Sequence, residues 1–212
     1  ALEIETQTVL EEDWANAWRK YYVPFPVGHR LWVKPIWEEG QAPEGRILIQ
    51  MEPGMAFGTG SHETTSLCME LLEGSVVPGM RVYDIGCGTG ILAITALKLG
   101  AASALAVDRD PNCITASRNN AAMNDVGEEL EIRLGDLMQG IDQPADLIVA
   151  NIFAEIVVLM VDDAYRRLTE GGVLIVSGII APKEGLVRDK LEESGFAVET
   201  VLHKADWVAI RA

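Results

Sequence analysis

The stretch VYDIGCGTG at positions 82–90 is the most informative part of this sequence about its fold. It starts as an apolar run of the kind that forms a buried strand, passes through a glycine-rich turn, and leads into a helical pattern. Glycine is needed where a chain turns sharply or where a ligand comes too close to the backbone for a Cβ atom. The stretch therefore predicts a strand–turn–helix unit of an open α/β sheet. The turn holds a ligand or, in the plainer alternative, is purely structural.

The chain from residue 81 onward repeats this alternation of β-branched runs and helical patterns, which predicts parallel strands joined by crossovers. Strands are predicted at 81–85, 103–108, 130–134, 146–150 and 172–177, and helices at 91–99, 111–124, 155–168 and 182–194. The Gly171–Gly172 pair is interpreted as a tight entry into the fifth strand. Two further runs, 197–202 and 207–211, predict a C-terminal antiparallel hairpin. The predicted fold is a doubly wound α/β domain, Rossmann-like, with a seven-stranded and mostly parallel sheet.

The segment ahead of this pattern differs in character and predicts a lead-in of its own. It carries an acidic, tryptophan-bearing helical pattern at 12–21, then four prolines that interrupt two short strand candidates at 31–35 and 47–51. We expect residues 1–52 to pack as a linker against a main domain formed by residues 53–212.

The composition limits the partners and the kind of site. Among 212 residues, 32 are acidic and 17 are basic, giving a formal charge of -15. This charge argues against direct nucleic-acid binding and fits either a basic protein partner or plain solubility. The three cysteines and three histidines are scattered, so neither disulfides nor a metal site is expected. No apolar run approaches the ~20 residues that span a bilayer, and a cytoplasmic protein without membrane contact is expected.

Asp108 indicates that the glycine loop binds an adenosine. It ends the strand after the loop, at the distance from Gly86 where a carboxylate accepts hydrogen bonds from ribose hydroxyls. Nicotinamide dinucleotides and S-adenosylmethionine both carry that ribose. The spacing Gly86-x-Gly88-x-Gly90, with Ile91 where a dinucleotide fingerprint has its last glycine, favours S-adenosylmethionine. A nicotinamide-dependent oxidoreductase is the alternative from a different class.

In the stretch AFGTGSHETT at 56–65, Gly58 and Gly60 on either side of Thr59 predict a glycine-hinged flap that closes over a ligand. Phe57 at its edge could contact a sulfonium cation through its ring face. The simpler interpretation is a flexible loop that feeds a helix capped by Ser61.

Polar residues at the ends of two other predicted strands complete the candidate site. Asn151 follows the strand at 146–150, at the sheet edge where ligands bind, and its amide oxygen could orient an acceptor amine as the catalytic contact. Its alternative role is to cap the next helix. Asp136 follows the strand at 130–134 and could reach the adenine amino group, unless it is simply a surface carboxylate. No residue is expected to act as a nucleophile or dedicated base, because positioning of amine and methyl group is the main requirement.

Four stretches together resemble the PrmA family, the methyltransferases of ribosomal protein eleven: AFGTGSHETT at 56–65, DIGCGTGILAI at 84–94, AVDRDP at 106–111 and ANIFA at 150–154. The resemblance covers essentially the whole chain, and the first stretch is its most specific part. It implies S-adenosylmethionine as cofactor, with contacts from Thr65, Gly86, Asp108 and Asn151, and with Asp84 near the methionine amino group. It implies methyl transfer to lysine side chains or the N-terminal α-amine of ribosomal protein eleven. The nearest alternative is a class I methyltransferase with another acceptor, such as a small molecule, a glutamine or a nucleobase.

Two departures from the family pattern are notable. The family carries a small N-terminal domain that holds the ribosomal protein, and this domain is expected to be absent ahead of Ala1. A chain without it could retain the cofactor but lose turnover. The family's usual N-I-L-A reads N-I-F-A here, and Phe153 is expected to narrow the acceptor pocket.

Overall fold

The structure is a computed structural model that describes residues 22–54 and 56–212. Seven strands form the main sheet in the order β6-β5-β4-β7-β8-β10-β9, and three form a small sheet in the order β1-β2-β3. The elements in chain order are β1 (Phe25–Val27), β2 (Leu31–Pro35), β3 (Ile47–Met51), α1 (Glu63–Ser75), β4 (Arg81–Ile85), α2 (Ile91–Lys98), β5 (Ser103–Asp108), α3 (Pro111–Met123), β6 (Leu130–Leu134), β7 (Ala145–Asn151), α4 (Ala154–Arg167), β8 (Leu168–Ile180), a 3₁₀ turn (Ala181–Lys183), α5 (Glu184–Glu193), β9 (Thr200–Lys204) and β10 (Trp207–Arg211).

The predicted fold class is confirmed. Strands β4 to β8 run parallel to one another, while β10 pairs antiparallel with both β8 and β9. The predicted helix and strand boundaries are mostly within a few residues of the observed ones. One crossover, residues 135–144 between β6 and β7, is a loop without a helix.

The small sheet contains one strand that the sequence did not predict. The predicted strands at 31–35 and 47–51 are β2 and β3, which pair in parallel, and β1 adds antiparallel to β2. β1 has only three residues and includes Pro26, which cannot donate to a ladder and hides an edge strand from pattern analysis. The helix predicted at 12–21 lies outside the described residues.

Two apolar cores lie on the two faces of the main sheet. The first joins α1, α2 and α3 to the small sheet, with Leu67, Ile94, Val33 and Ile49 among its members. The small sheet is therefore held by burial of apolar surface in the same core as the helices. The second core lies under α4 and α5. Its members include Val157, Met160, Val187 and Leu191.

The prediction that Gly171 and Gly172 form the entry into the fifth strand is wrong, because both residues lie inside β8. β8 starts at Leu168, and its register against β7 shifts between the pairs Ala145–Leu168 and Leu147–Val173. The extra residues of β8 form a bulge, in which Gly171 has a φ of 73° that side-chain-bearing residues rarely adopt. The glycines do make the chain turn, but the strand continues through them.

The parallel arrangement brings the carboxyl ends of five strands to one edge of the sheet. The chain leaves β4 toward β5 on one side, and later returns to place β7 on the other side of β4. A crevice forms at such a switch point, and open α/β sheets bind their ligands there. The residues that end β4, β5 and β7 therefore define the candidate site.

Candidate active site

The glycine loop, residues 86–90, is held against β5 by its backbone. The amides of Gly86 and Cys87 both donate to the Val107 carbonyl, at 2.8 and 3.0 Å. Gly86, with a φ of 76°, has no room for a side chain, since a Cβ atom would lie 2.4 Å from Cγ2 of Ile152. Ile152 directly follows Asn151, so the loop after β7 packs onto the start of the glycine loop.

Gly88 has a different neighbour. A Cβ atom there would lie 2.2 Å from the carbonyl oxygen of Phe57. The close approach that requires glycine at this position is therefore made by the flap, residues 56–60, and not only by a ligand. The glycine loop thus lies between the residue after Asn151 on one side and the flap on the other.

Asp108 holds the glycine loop by a hydrogen bond, and its carboxylate can still accept hydrogen bonds from a ligand. Its Oδ2 accepts the Gly88 amide at 2.9 Å and its Oδ1 accepts the Asp110 amide at 2.9 Å. Each carboxylate oxygen has a further lone pair that can accept a hydroxyl. The half-buried carboxylate at the end of β5 is thus suited to the two hydroxyls of a ribose.

Asp84 is a fully buried carboxyl one residue before the end of β4. Its Oδ2 accepts the Ala93 amide at 3.0 Å, while its Oδ1 has no hydrogen-bond partner among the described residues. Burial raises the pKa of Asp84 to about 7, the nearby Asp108 carboxylate adds to the rise, and the bond from Ala93 opposes it. A buried acceptor without a donor is costly, and an ammonium group would satisfy it.

A hydrogen bond to Thr65 on α1 fixes the orientation of the Asn151 side-chain amide. Its Nδ2 donates to Oγ1 of the buried Thr65 at 3.2 Å, so its amide oxygen points away from Thr65. That oxygen is buried and has no hydrogen-bond partner among the described residues. Asn151 does not cap α4, whose N-cap is Phe153 without a side-chain hydrogen bond. The alternative role as a helix cap is therefore wrong, and the free amide oxygen requires another explanation.

The flap leads into α1 through His62, which corrects the predicted cap. The N-cap of α1 is His62, not Ser61, and its Nδ1 accepts the Thr64 amide at 3.3 Å. The His62 ring also stands edge-on between Phe57, with ring centroids 5.3 Å apart, and Trp207, at 5.1 Å. Trp207 begins β10, and its place beside the flap was missed because sequence spacing carries no signal for such a distant contact.

Phe153 and Asp136 lie at the rim. Phe153 is 74% exposed, so it stands at the mouth of the site and does not line a closed pocket. Asp136 is exposed after β6, and its Oδ2 accepts Nε2 of Gln139 at 3.2 Å. Asp136 is thus at the same sheet edge as Asp108, one strand further out.

The described part of the chain contains no cluster of three or more histidine, cysteine, aspartate or glutamate side chains that could hold a metal ion. Among the same residues, no helix combines the length and apolar character needed to cross a membrane.

The residues of the site fit S-adenosylmethionine. Two buried acceptor oxygens, on Asp84 and Asn151, have no protein donor among the described residues, and a cationic or amine group would complete both. Asp108 has acceptor capacity for a ribose, and Phe57 is 55% exposed beside the glycine loop. The sequence predictions for Asp84, Asp108 and Asn151 therefore refer to side chains at one sheet edge.

The family described as Ribosomal protein L11 methyltransferase (PrmA) matches residues 1–212. A ribosomal protein L11 methyltransferase of Pelotomaculum thermopropionicum is 48% identical over 212 residues, which are all of this chain and 69% of that protein. One of Clostridium botulinum (strain Eklund 17B) is 46% identical over 209 residues, 99% of this chain and 66% of that protein. The chain spans about two thirds of the length of these relatives.

One solved structure is similar over nearly its whole length. A ribosomal protein L11 methylase from Lactobacillus delbrueckii subsp. bulgaricus has a TM-score of 0.85 and 34% sequence identity, over 90% of this chain and 97% of that chain.

Proposed function

Because the chain belongs to the ribosomal protein L11 methyltransferase (PrmA) family, we propose that it transfers methyl groups from S-adenosylmethionine to amino groups of ribosomal protein L11. The acceptor amines are lysine side chains, the N-terminal α-amine or both. The observation that carries this proposal is the buried amide oxygen of Asn151, which has no hydrogen-bond partner in the described part of the chain and lies at the sheet edge beside the glycine loop. An oxygen fixed in this way can accept a hydrogen bond from an amine and orient its lone pair.

The cofactor would be held by the residues around the glycine loop. Asp108 would accept the ribose hydroxyls, Asp84 the methionine ammonium group, and Asp136 the adenine amino group, with Gly86 and Gly88 in backbone contact. Phe57 would present its ring to the sulfonium. When bound, S-adenosylmethionine supplies a methyl group whose carbon is made electrophilic by the sulfonium.

The protein's own contribution to transfer is positioning. The amine must approach in line with the bond that breaks, and holding two reactants in such geometry can replace several kcal/mol of activation free energy, of the order of 7 or more in favourable cases. Asn151 would orient the amine through its amide oxygen, and Thr65 keeps the amide from flipping by accepting from Nδ2. A lysine ammonium has a reference pKa of about 10.4, so a proton must leave to water before the nitrogen can accept the methyl group.

Methyl transfer by an Asn151→Ala variant tests the proposal. The 212-residue chain is mixed with labelled S-adenosylmethionine and ribosomal protein L11, and mass spectrometry of the product identifies the modified amines. We expect kcat of the variant to fall by roughly a hundredfold or more, as for the loss of one preorganised polar contact to reacting groups. Asn119→Ala, an exposed asparagine on α3, is the matched control and should retain full activity.

Two results would contradict the proposal. Transfer by Asn151→Ala within a few-fold of the unmodified chain would remove Asn151 from the reaction. Cofactor binding by the unmodified chain, with label entering a small molecule, a glutamine or a nucleobase but not ribosomal protein L11, would identify a different acceptor.

A further inference from the structure

The flap is fastened to the glycine loop at the residue after Gly88. The Thr89 amide donates to the Phe57 carbonyl at 3.0 Å, and the Thr89 hydroxyl donates to the Gly58 carbonyl. Thr89 is fully buried, so both bonds are shielded from water. Gly88, which has no side chain, leaves room for the Phe57 carbonyl. The flap therefore lies directly on the loop whose backbone the cofactor would contact.

A second hydrogen bond holds the flap at Thr59, the residue after Gly58. The Tyr22 hydroxyl donates to the Thr59 carbonyl. The Tyr22 ring stands edge-on against Phe25 of β1, with centroids 5.9 Å apart, and against Trp37 just after β2, at 6.1 Å. Burial raises the pKa of the Tyr22 hydroxyl, so it remains a donor throughout the working pH range. The small sheet thus holds the middle of the flap.

The flap has the backbone of a segment that can swing. Gly58 and Gly60, with φ values of 106° and 86°, stand on either side of Thr59 and permit conformations closed to other residues. Phe57 itself is 55% exposed, and its ring stands edge-on to His62. Gly58 and Gly60 are also buried, close to the side chains of Ile91 and Val33. The hydrogen bonds from Thr89 and Tyr22 add to this packing and favour the closed flap.

We propose that Thr89 and Tyr22 are positioning residues that hold the flap closed over the cofactor site from two sides, and so join the small sheet to the glycine loop. That the enclosed ligand is S-adenosylmethionine rests on the proposed function. Neither residue touches the reacting atoms. Loss of either hydroxyl removes one of the hydrogen bonds that hold the flap, so the flap opens more often and releases the bound cofactor sooner.

Hydrogen exchange of the Thr89 backbone amide, followed by NMR on the ligand-free chain, tests the tie directly. This amide is protected by the Phe57 carbonyl and exchanges when the flap lifts. Tyr22→Phe removes only a hydroxyl, and the loss of one such hydrogen bond corresponds to about fivefold faster exchange at Thr89. Tyr165→Phe, which removes an exposed hydroxyl on α4, should leave Thr89 exchange unchanged.

The same variants are then compared in stopped-flow measurements of S-adenosylmethionine dissociation. We expect Tyr22→Phe and Thr89→Val to release the cofactor about fivefold faster, with Thr89→Ser restoring the original rate because it keeps the hydroxyl. The equilibrium constant for unfolding of Tyr22→Phe in urea should rise by no more than about the same fivefold, because the closed flap loses this one hydrogen bond relative to the open and the unfolded chain alike.

Unchanged Thr89 exchange in Tyr22→Phe would overturn the inference, as would faster exchange without faster cofactor release. If the unmodified chain bound no S-adenosylmethionine, the proposed function would fail, whereas the exchange measurement would still decide whether Tyr22 holds the flap.

Discussion

Asp84 shows how one buried side chain sets the pH response of ligand binding. Its pKa of about 7 means that the carboxyl is half protonated at neutral pH. The cofactor's amino group, with an ordinary pKa of about 7.7–8.0, is protonated below pH 7 and prefers the ionised carboxylate. We expect the affinity for S-adenosylmethionine to fall roughly tenfold or more between pH 7 and pH 5.5, measured by calorimetry.

Protonation of Asp84 weakens cofactor binding but stabilises the ligand-free fold. Because the folded-state pKa of Asp84 lies above the ordinary value of an aspartate, protonation stabilises the ligand-free fold at low pH, and this contribution is lost as the pH rises through about 7. Cofactor affinity should therefore decrease with acid while the fold is not weakened at Asp84. Asp84→Asn is the control and should bind weakly with no pH dependence over this range. An equally steep pH dependence in that variant would assign the titration to another group.

Single residues also mark the limit of sequence reasoning. Asp108 and Asn151 were predictable because strand ends in an open α/β sheet meet at one edge. The identity of the α1 cap was not, since Ser61 and His62 are both polar and only the backbone geometry chooses His62. Tyr22 gave no signal at all, because its partner is a main-chain carbonyl 37 residues away.

At the level of secondary-structure elements, Gly178 allows close packing between β8 and the loop that follows β7. This glycine has a φ of 82°, and a Cβ atom would lie 2.3 Å from the carbonyl oxygen of Ile152. The neighbouring Ser177 pairs with Asn151 in the sheet. Gly178 therefore lets the loop after Asn151 pass close to β8 and fixes where the amide of Asn151 lies.

A Gly178→Ala variant should be destabilised by at least about 2 kcal/mol in urea unfolding, because positive φ costs roughly 1–2 kcal/mol and the methyl group meets backbone that cannot move freely. Gly185→Ala is the matched control. Gly185 lies in α5 with nothing within 4 Å of its Cβ position. Alanine there should be neutral or stabilising by about 0.4–1 kcal/mol. Equal effects of the two substitutions would contradict this account of the β7–β8 contact.

The elements that sequence patterns predicted best are those with a single strong period. β4, β5 and β6 have the predicted boundaries because each is a short apolar or alternating run between turn residues. β8 was predicted too short, since its bulge interrupts the pattern at two glycines while the backbone pairing continues. β1 was missed because a three-residue edge strand is held by its neighbour β2 and not by its own propensity.

At the scale of the whole molecule, the charge of -15 is the dominant property that the fold must tolerate. Folding brings these charges together, and the ion pairs of the described residues are mostly exposed, so each contributes about 0–1 kcal/mol. Mutual repulsion should therefore outweigh the pairs. We expect the free energy of unfolding in urea to rise by roughly 1 kcal/mol from 10 to 150 mM NaCl, as salt screens the repulsion.

Potassium chloride at the same ionic strength should give the same change, because screening does not depend on the cation. A fall in stability with salt would show that the ion pairs, and not the net charge, control the electrostatic balance of this chain. The net charge itself was available from composition, whereas the pairing of individual charges required the fold.

Binding of S-adenosylmethionine through Asp108, at the edge formed by β4, β5 and β7, underlies the roles proposed for the other residues of this site. Titration calorimetry of the 212-residue chain with S-adenosylmethionine tests it most directly, with NADH as a second ligand and with Asp108→Asn and Asp142→Asn as variants. We predict one site for S-adenosylmethionine, none for NADH, and affinity that falls about tenfold or more in Asp108→Asn, where charge-assisted bonds to the ribose are lost, but not in Asp142→Asn. No binding of S-adenosylmethionine, or binding of NADH at the same site, would contradict the account.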